Sequence, residues 1–175
     1  MTRIEVDVAH LRSDQLVLSY VVTGRIGDVR LPPTTSPARC DELWRHTCFE
    51  AFIGAADGPE YYEFNFAPST QWAAYRFVGY RSGMAAAPGI GAPAIDVQSD
   101  SDQFALRATL GLDSVSASQR KAVWRFGLSA VIEETSGRLS YWALAHPPGK
   151  PDFHHADCFA HEFLPAEAMI MKRAN

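Results

Sequence analysis

The chain has 175 residues, of which 47% are hydrophobic and 21% are charged, the composition of a globular protein rather than a disordered one. This length predicts a single domain that spans residues 1–175. The formal net charge is -4 and the sequence contains no run of basic residues. Because phosphate binding requires a basic surface, this charge argues against a nucleic acid partner.

Membrane and secretion signals are not evident in the sequence. No stretch approaches the ~20 consecutive apolar residues that a membrane helix needs. Charged residues interrupt the N-terminal segment 1–7, which therefore lacks the apolar core of a signal peptide. We expect no membrane association and a cytoplasmic location, where Cys40, Cys48 and Cys158 would remain free thiols.

Apolar residues recur at every second position along most of the chain, as expected for strands that are buried on one face. In chain order, this pattern predicts strands at residues 4–8, 16–22, 47–53, 61–66, 72–80, 95–98, 104–110, 124–132 and 139–145. A further apolar patch at 159–164 could close the sheet. Residues 113–120 could hold one helical turn, and a short C-terminal helix could begin at Pro165, since proline suits a first helical position.

Nine strands with short turns between them, and no alternation of strands with helices, predict an all-β fold. The expected architecture is an antiparallel β-sandwich. Segments rich in proline, glycine or small residues predict loops at 32–46, 82–93 and 146–157, which would surround a site at one face of the sandwich.

Four segments resemble DOMON-like domains related to family 9 carbohydrate-binding modules. They are LWRHTCFEAFI at 43–53, YYEFNFAPS at 61–69, GLSAVIE at 127–133 and YWAL at 141–144. The first two match a pattern in which a tryptophan leads into a strand with a central acidic residue, followed by an aromatic strand that ends in asparagine. The resemblance implies a β-sandwich of jelly-roll or immunoglobulin-like type, and binding of a sugar or of heme.

The alternation of side chains places Glu50, Glu63 and Asn65 on one sheet face if their strands pair. Carboxylates and an amide beside aromatic rings suit a sugar, which needs hydrogen bonds to its hydroxyls and a flat apolar surface for its C–H side. The resemblance adds Arg81, because related carbohydrate modules use polar and charged groups near this position to bind the end of a sugar. Trp44 and Trp72 lie at predicted junctions of loops and strands and are the candidates for a stacking platform. The predicted ligand-binding residues are therefore Trp44, Glu50, Glu63, Asn65, Trp72 and Arg81. An ordinary solvated sheet face and a glycosidase pair of Glu50 and Glu63 remain alternative interpretations.

Potential metal and heme ligands also occur in the sequence. The densest group of metal-ligand residue types comprises His154, His155, Asp157, Cys158 and His161, but its spacing matches no strong zinc pattern. A noncovalent heme would need an axial His or Met in an apolar slot, and His46, Met84, His154 and His155 are available. We predict no metal and no cofactor, with heme as the alternative.

The sequence as a whole predicts a non-catalytic module that binds a small molecule, in the first place a carbohydrate. One alternative is a heme domain. Another is a protein-interaction module that pairs through its strand edges. The sequence contains no motif for a serine nucleophile or a phosphate-binding loop, so an enzyme is the least favoured class. The ligand and the oligomeric state are not predicted.

Overall fold

The computed structural model describes residues 3–12, 14–111 and 123–163. In these ranges the chain forms eleven strands. They are β1 (Arg3–Arg12), β2 (Gln15–Thr23), β3 (Cys48–Ala55), β4 (Tyr61–Phe66), β5 (Trp72–Phe77), β6 (Ala85–Ala86), β7 (Ala94–Ser99), β8 (Gln103–Gly111), β9 (Trp124–Glu133), β10 (Leu139–Ala143) and β11 (His161–Phe163). Single 3-10 turns lie at Ile26–Asp28, Leu43–Arg45 and Ala156–Cys158.

The strands form two sheets in which all paired strands are antiparallel. The smaller sheet has the order β1-β2-β8-β7. The larger sheet has the order β10-β9-β3-β4-β5-β6, and β11 pairs with the other end of β9. The predicted β-sandwich is therefore confirmed.

The main core lies between the two sheets, and the alternation in each strand selects its members. β2 contributes Leu16, Leu18, Tyr20 and Val22, all buried, and the larger sheet contributes Phe49 and Phe66. The Phe49 ring contacts Tyr20 at a centroid distance of 5.2 Å and stacks on Phe104 of β8 at 5.7 Å. Aromatic contacts therefore join the sheets at the middle of the sandwich.

The central strands of the larger sheet are buried on both faces. Residues 48–53 of β3 are all buried, although the sequence alternation predicts one wet face. A second apolar cluster covers the outer face and includes Leu43, Phe52, Tyr61 and Tyr75, with Trp44, Phe153 and Phe159 packed against it from loops. The loops around residues 40–46 and 146–159 thus cover the outer face of this sheet.

The predicted elements differ from the structure in a few places. The sequence pattern does not predict β6, which has two residues, whereas the three-residue β11 lies within the apolar patch expected to close the sheet at 159–164. The strand predicted at 72–80 ends at Phe77, because Val78 to Ser82 form a turn closed by hydrogen bonds between Val78 and Ser82 and between Ser82 and Gly79. The helix expected from Pro165 and the turn expected at 113–120 lie outside the described residues. No helix in the described ranges is both long and apolar enough to cross a membrane.

Candidate functional site

Three neighbouring strands carry polar side chains on the outer face of the larger sheet. β3 contributes Glu50, β4 contributes Glu63 and Asn65, and β9 contributes Ser129; the register places Glu50 opposite both Asn65 and Ser129. The exposed fraction is 3% for Glu50, 5% for Glu63 and 0% for Asn65. The predicted polar face therefore exists, but loops cover it and hold it away from bulk solvent.

Asn65 is engaged at both ends of its amide. Its Nδ2 donates to Glu63 Oε1 over 2.7 Å, and its Oδ1 accepts a hydrogen bond from the Cys48 thiol at 3.5 Å. These two bonds use one N–H and one lone pair of the amide, and Asn65 is fully buried and lies outside the cavity lining. Asn65 therefore orients the Glu63 carboxyl group, and Glu63 reaches the ligand space in its place.

Glu50 is a buried carboxyl group with little compensation. Ser129 Oγ donates to Glu50 Oε2 at 3.3 Å, and no other side-chain hydrogen bond to Glu50 occurs in the described residues. Burial, and then repulsion from Glu63, raise the pKa of Glu50 to about 8. Burial also raises the pKa of Glu63, against the hydrogen bond from Asn65. At neutral pH the floor of the site holds a protonated Glu50.

A cavity of about 390 Å³ opens above Glu50 and Glu63. This volume falls in the range of ~300–1,000 Å³ that small-molecule pockets occupy. The apolar walls are Trp44, Phe52, Phe77, Met84, Val131, Tyr141, Pro151 and Phe153. Trp44, Met84 and Phe153 come from the three loops expected at the rim, so each of these loops contributes a wall.

Arg81 and Asp152 form an ion pair at the edge of the cavity. Arg81 donates to Asp152 Oδ1 through Nη2 at 2.7 Å and through Nε at 3.2 Å, and Tyr80 OH donates to Asp152 Oδ2. Burial would raise the pKa of Asp152, but hydrogen bonds from Arg81 and Tyr80 outweigh it and lower the pKa to about 2. This pair fastens the 146–157 loop to the turn that follows β5.

His154 lies in the floor next to Glu63 and is neutral. The Arg81 backbone N–H donates to Tyr61 OH, so we assign the 2.8 Å bond between Tyr61 OH and His154 Nδ1 with tyrosine as donor. Burial, and then the charge of Arg81, lower the pKa of His154 to about 4. His154 Nε2 lies 3.7 Å from Glu63 Oε2, which is too long for a hydrogen bond.

A second depression of about 360 Å³ lies on the other side of His154. Tyr61, Arg125, His155 and Phe159 line it together with His154. Arg125 donates to the backbone oxygens of Ala156 and Phe159 at 3.3 Å each, which holds this end of the loop on β9. His154 thus separates two adjacent depressions.

Among the solved structures that share this architecture is the crystal structure of a candidate carbohydrate-binding protein from Bacteroides uniformis. Its TM-score is 0.63, with 13% sequence identity over 89% of this chain and 75% of that chain. The likeness is one of fold. No protein-family model matches the sequence. No curated protein matches it at a significant level either.

Of the six predicted ligand-binding residues, Trp44, Glu50, Glu63 and Arg81 line the cavity. Trp72 does not line it, and the prediction that Trp72 is a stacking platform is wrong. Its place in β5 turns it toward the main core, where it is buried and Arg39 covers its ring at 4.1 Å. Asn65 lies beneath the floor, as described above.

Other cavity residues were not predicted as ligand-binding. Phe52 and Phe77 follow from alternation, because each lies two positions along its strand from a residue of the outer face. Met84, Tyr141 and Phe153 come from loops or from the edge strand β10, and no local pattern marks them. Asp152 is recognisable only through its contact with Arg81.

The histidine-rich segment does not form a metal cluster. In the described residues, no three His, Cys, Asp or Glu side chains gather where they could hold a metal ion. His154 and His161 point to different surroundings, the cavity and the Phe126 ring, and Cys158 Sγ donates to the Asp152 backbone oxygen at 3.2 Å. His155 Nδ1 accepts the backbone N–H of Asp157 at 3.2 Å.

Heme does not fit the cavity well. Of its expected axial ligands, only Met84 and His154 line the cavity, while His46 bonds Glu133 at 2.7 Å. An apolar macrocycle held between Met84 and His154 would lie against the buried carboxyl groups of Glu50 and Glu63. Heme sites need an apolar slot, so this floor is unsuitable.

Proposed function

We propose that the chain is a non-catalytic binding module for a small saccharide, which lies in the cavity above Glu50 and Glu63. The observation that carries this proposal is a cavity of suitable size with buried polar groups at its floor and aromatic rings in its walls. A sugar presents hydroxyls in one direction and a C–H surface in another, so it matches such a cavity.

The interactions follow from the positions of the side chains. Glu63 and neutral His154 line the same space, with Glu63 Oε2 and His154 Nε2 3.7 Å apart. The Glu63 carboxylate can accept a hydrogen bond from one sugar hydroxyl, and the His154 Nε2–H can donate to another. Protonated Glu50 adds a donor. Trp44, held edge-on against Tyr75 at a centroid distance of 5.8 Å, offers a ring face for stacking.

The fold supports this proposal in a general way. The Bacteroides uniformis structure belongs to a candidate carbohydrate-binding protein, and its sandwich covers most of this chain. The four sequence segments that resemble family 9 carbohydrate-binding modules include β3 and β4, which form the floor. A location in the cytoplasm remains our prediction from the sequence.

A thermal-unfolding scan against a panel of monosaccharides and disaccharides tests the proposal. A ligand at a hundred times its dissociation constant stabilises the folded state by roughly 2.7 kcal/mol. For a domain of this size, the midpoint would rise by about 5–10 °C. A response to one class of sugar, with no sugar product formed on long incubation, supports the proposal, and a flat panel contradicts it.

Substitution of Glu63 locates the response in this cavity. We expect Glu63→Ala to weaken sugar binding by about 1–3 kcal/mol, because a buried hydrogen bond to the ligand is lost. Asn65→Ala should have a smaller effect of the same sign, since it frees the Glu63 carboxyl group to move. Calorimetric titration measures both, and unchanged affinity in both variants would exclude this face of the sheet.

A further inference from the structure

The cavity is lined by more carboxyl groups than cationic groups. Glu50, Glu63 and Asp152 line it, and Arg81 is the cationic side chain in its lining. Two hydrogen bonds commit Arg81 to Asp152, and the imidazole of His154 is neutral. Among the described residues, neither Glu50 nor Glu63 therefore has a cationic partner within hydrogen-bond distance.

Buried carboxyl groups in proteins are normally paired with a cation or fully hydrogen-bonded. Here Glu50 accepts a single hydroxyl hydrogen bond at 3.3 Å, and Glu63 accepts one from Asn65 at 2.7 Å. Both carboxyl groups line the cavity. A cation placed there would meet two carboxyl groups from adjacent strands.

The walls suit a cation as well. Phe77, Tyr141, Phe153 and Trp44 surround the same space. The negative face of an aromatic ring attracts an ammonium group, most strongly where water is excluded. Aromatic walls above paired acids are therefore a complementary environment for a protonated amine.

We propose that the cavity selects a ligand with a protonated amino group, within the saccharide class an amino sugar, whose ammonium lies between the carboxyl groups of Glu50 and Glu63. This inference rests on the proposed function and specifies its ligand class. The sugar ring then lies against Trp44 while its nitrogen reaches the floor.

Binding of an ammonium group has a consequence for protons. Glu50 is protonated in the free protein at pH 7, because burial and the neighbouring Glu63 raise its pKa to about 8. A cation beside it favours the carboxylate, so the Glu50 carboxyl group releases its proton to the buffer when the amine binds. A neutral sugar produces no such release.

We expect the released proton to come from Glu50 and not from a neighbouring titratable group. The titratable and charged groups around it are Tyr20 of β2, Cys48 of β3, Glu63 of β4, and Arg81, Asp152 and His154 of the loops. Burial raises the pKa of Tyr20 and of Cys48 well above their usual values, so both stay neutral at pH 7.

Calorimetric titration of the full chain at pH 7 with glucosamine, glucose and N-acetylglucosamine tests the inference. We expect glucosamine to bind about tenfold more tightly or better than glucose, as a charge-assisted hydrogen bond should. Repetition in two buffers of different ionisation enthalpy should show release of about one proton for glucosamine and none for glucose.

Isosteric variants show which carboxyl groups cause the preference for glucosamine and the release of a proton. Glu50→Gln and Glu63→Gln should each bring the glucosamine-to-glucose ratio close to one, and Glu50→Gln should also abolish proton release. Glu133→Gln is the matched control, because Glu133 is a buried glutamate on the same sheet face that bonds His46 and Arg30 and lies outside the cavity lining. That variant should keep the wild-type ratio.

The outcomes separate the two proposals. Glucose bound as tightly as glucosamine, or no change of the ratio in either Gln variant, would overturn the amine inference and leave saccharide binding intact. Absence of binding by all three sugars would overturn both.

Discussion

Glu50 and Glu63 are carboxylic acids at positions where an open antiparallel sheet would present polar groups to water. The loop residues that cover them convert a solvated face into a floor with perturbed acidity. The pKa of both groups is raised by burial, and for Glu50 the value is about 8. These two side chains are the chemical centre of the site.

The raised pKa of Glu50 predicts how stability depends on pH. The folded state keeps a proton on Glu50 that the unfolded state loses above about pH 4.5, so the free energy of unfolding falls as pH rises toward 8. His154, whose pKa is lowered to about 4, acts in the opposite direction but only up to about pH 6.5. Between pH 6.5 and 8 we expect a loss of about 1–2 kcal/mol.

Urea unfolding at several pH values measures this loss. Glu50→Gln should flatten the dependence in that window, whereas Glu60→Gln, at an exposed pair with Arg76, should not. A wild-type stability that rises or stays constant from pH 6.5 to 8 would mean that Glu50 is ionised in the folded state.

Substitution of Trp44 and of Trp72 should have different effects, because Trp44 lines the cavity and Trp72 packs in the main core. Trp44→Ala should reduce sugar affinity by about tenfold through loss of the ring face, with a small effect on stability. Trp72→Phe should leave affinity unchanged and lower the free energy of unfolding by about 1–3 kcal/mol, since Trp72 fills the main core. Titration and urea unfolding of both variants measure these effects, and the reverse assignment would contradict the placement of the site.

Sequence alternation predicted that Glu50, Glu63 and Asn65 share one sheet face, and the pairing of β3 with β4 confirms this placement. Alternation could not predict the role of Trp72, because a position at the start of a strand does not tell which face its side chain takes until the register is known. It also could not predict burial of the acids, since that depends on loops distant in sequence.

At the scale of elements, the site consists of a rigid meander and a loop fastened over it. Strands β3, β4 and β5 are hydrogen-bonded in sequence order and supply the floor. The 146–157 loop has no strand partner and is held by Asp152, which bonds Arg81, Tyr80 and the backbone N–H of His154.

Asp152 should therefore control local opening of this loop. We expect Asp152→Asn to change the free energy of unfolding by less than about 1 kcal/mol, because the ion pair is partly exposed. The buried Cys158, whose thiol bonds the Asp152 backbone oxygen, should nevertheless react several-fold faster with a thiol reagent.

Mass spectrometry of the labelled peptides distinguishes Cys158 from Cys40 and Cys48. Glu134→Gln, which removes an exposed pair with Arg138 in the β9–β10 hairpin, is the control and should leave Cys158 unchanged. Equal labelling rates in wild type and Asp152→Asn would show that Asp152 does not fasten the loop.

The strands that the sequence predicted are those whose own residues carry a period of two over four or more positions. β6 was missed because a two-residue ladder is defined by its partner strand rather than by its composition. The end of β5 was placed too late since Val78 and Tyr80 continue the apolar pattern into a turn.

At the scale of the whole molecule, the chain builds two apolar clusters with the larger sheet between them. One cluster joins the sheets, and the other joins the larger sheet to its covering loops. The first follows from the sequence pattern and is typical of any sandwich. The second creates the cavity, and only the tertiary structure reveals it.

An NMR titration of isotope-labelled protein with glucose and glucosamine tests the central claim, that a sugar occupies this cavity. We predict that the largest shifts fall on the indole N–H of Trp44 and on the backbone amides of Lys150, of residues 152–154 and of residues 129–131. The indole N–H of Trp72, buried on the opposite side of the sheet, should not move. Shifts confined to the smaller sheet, or none with either sugar, would contradict the account.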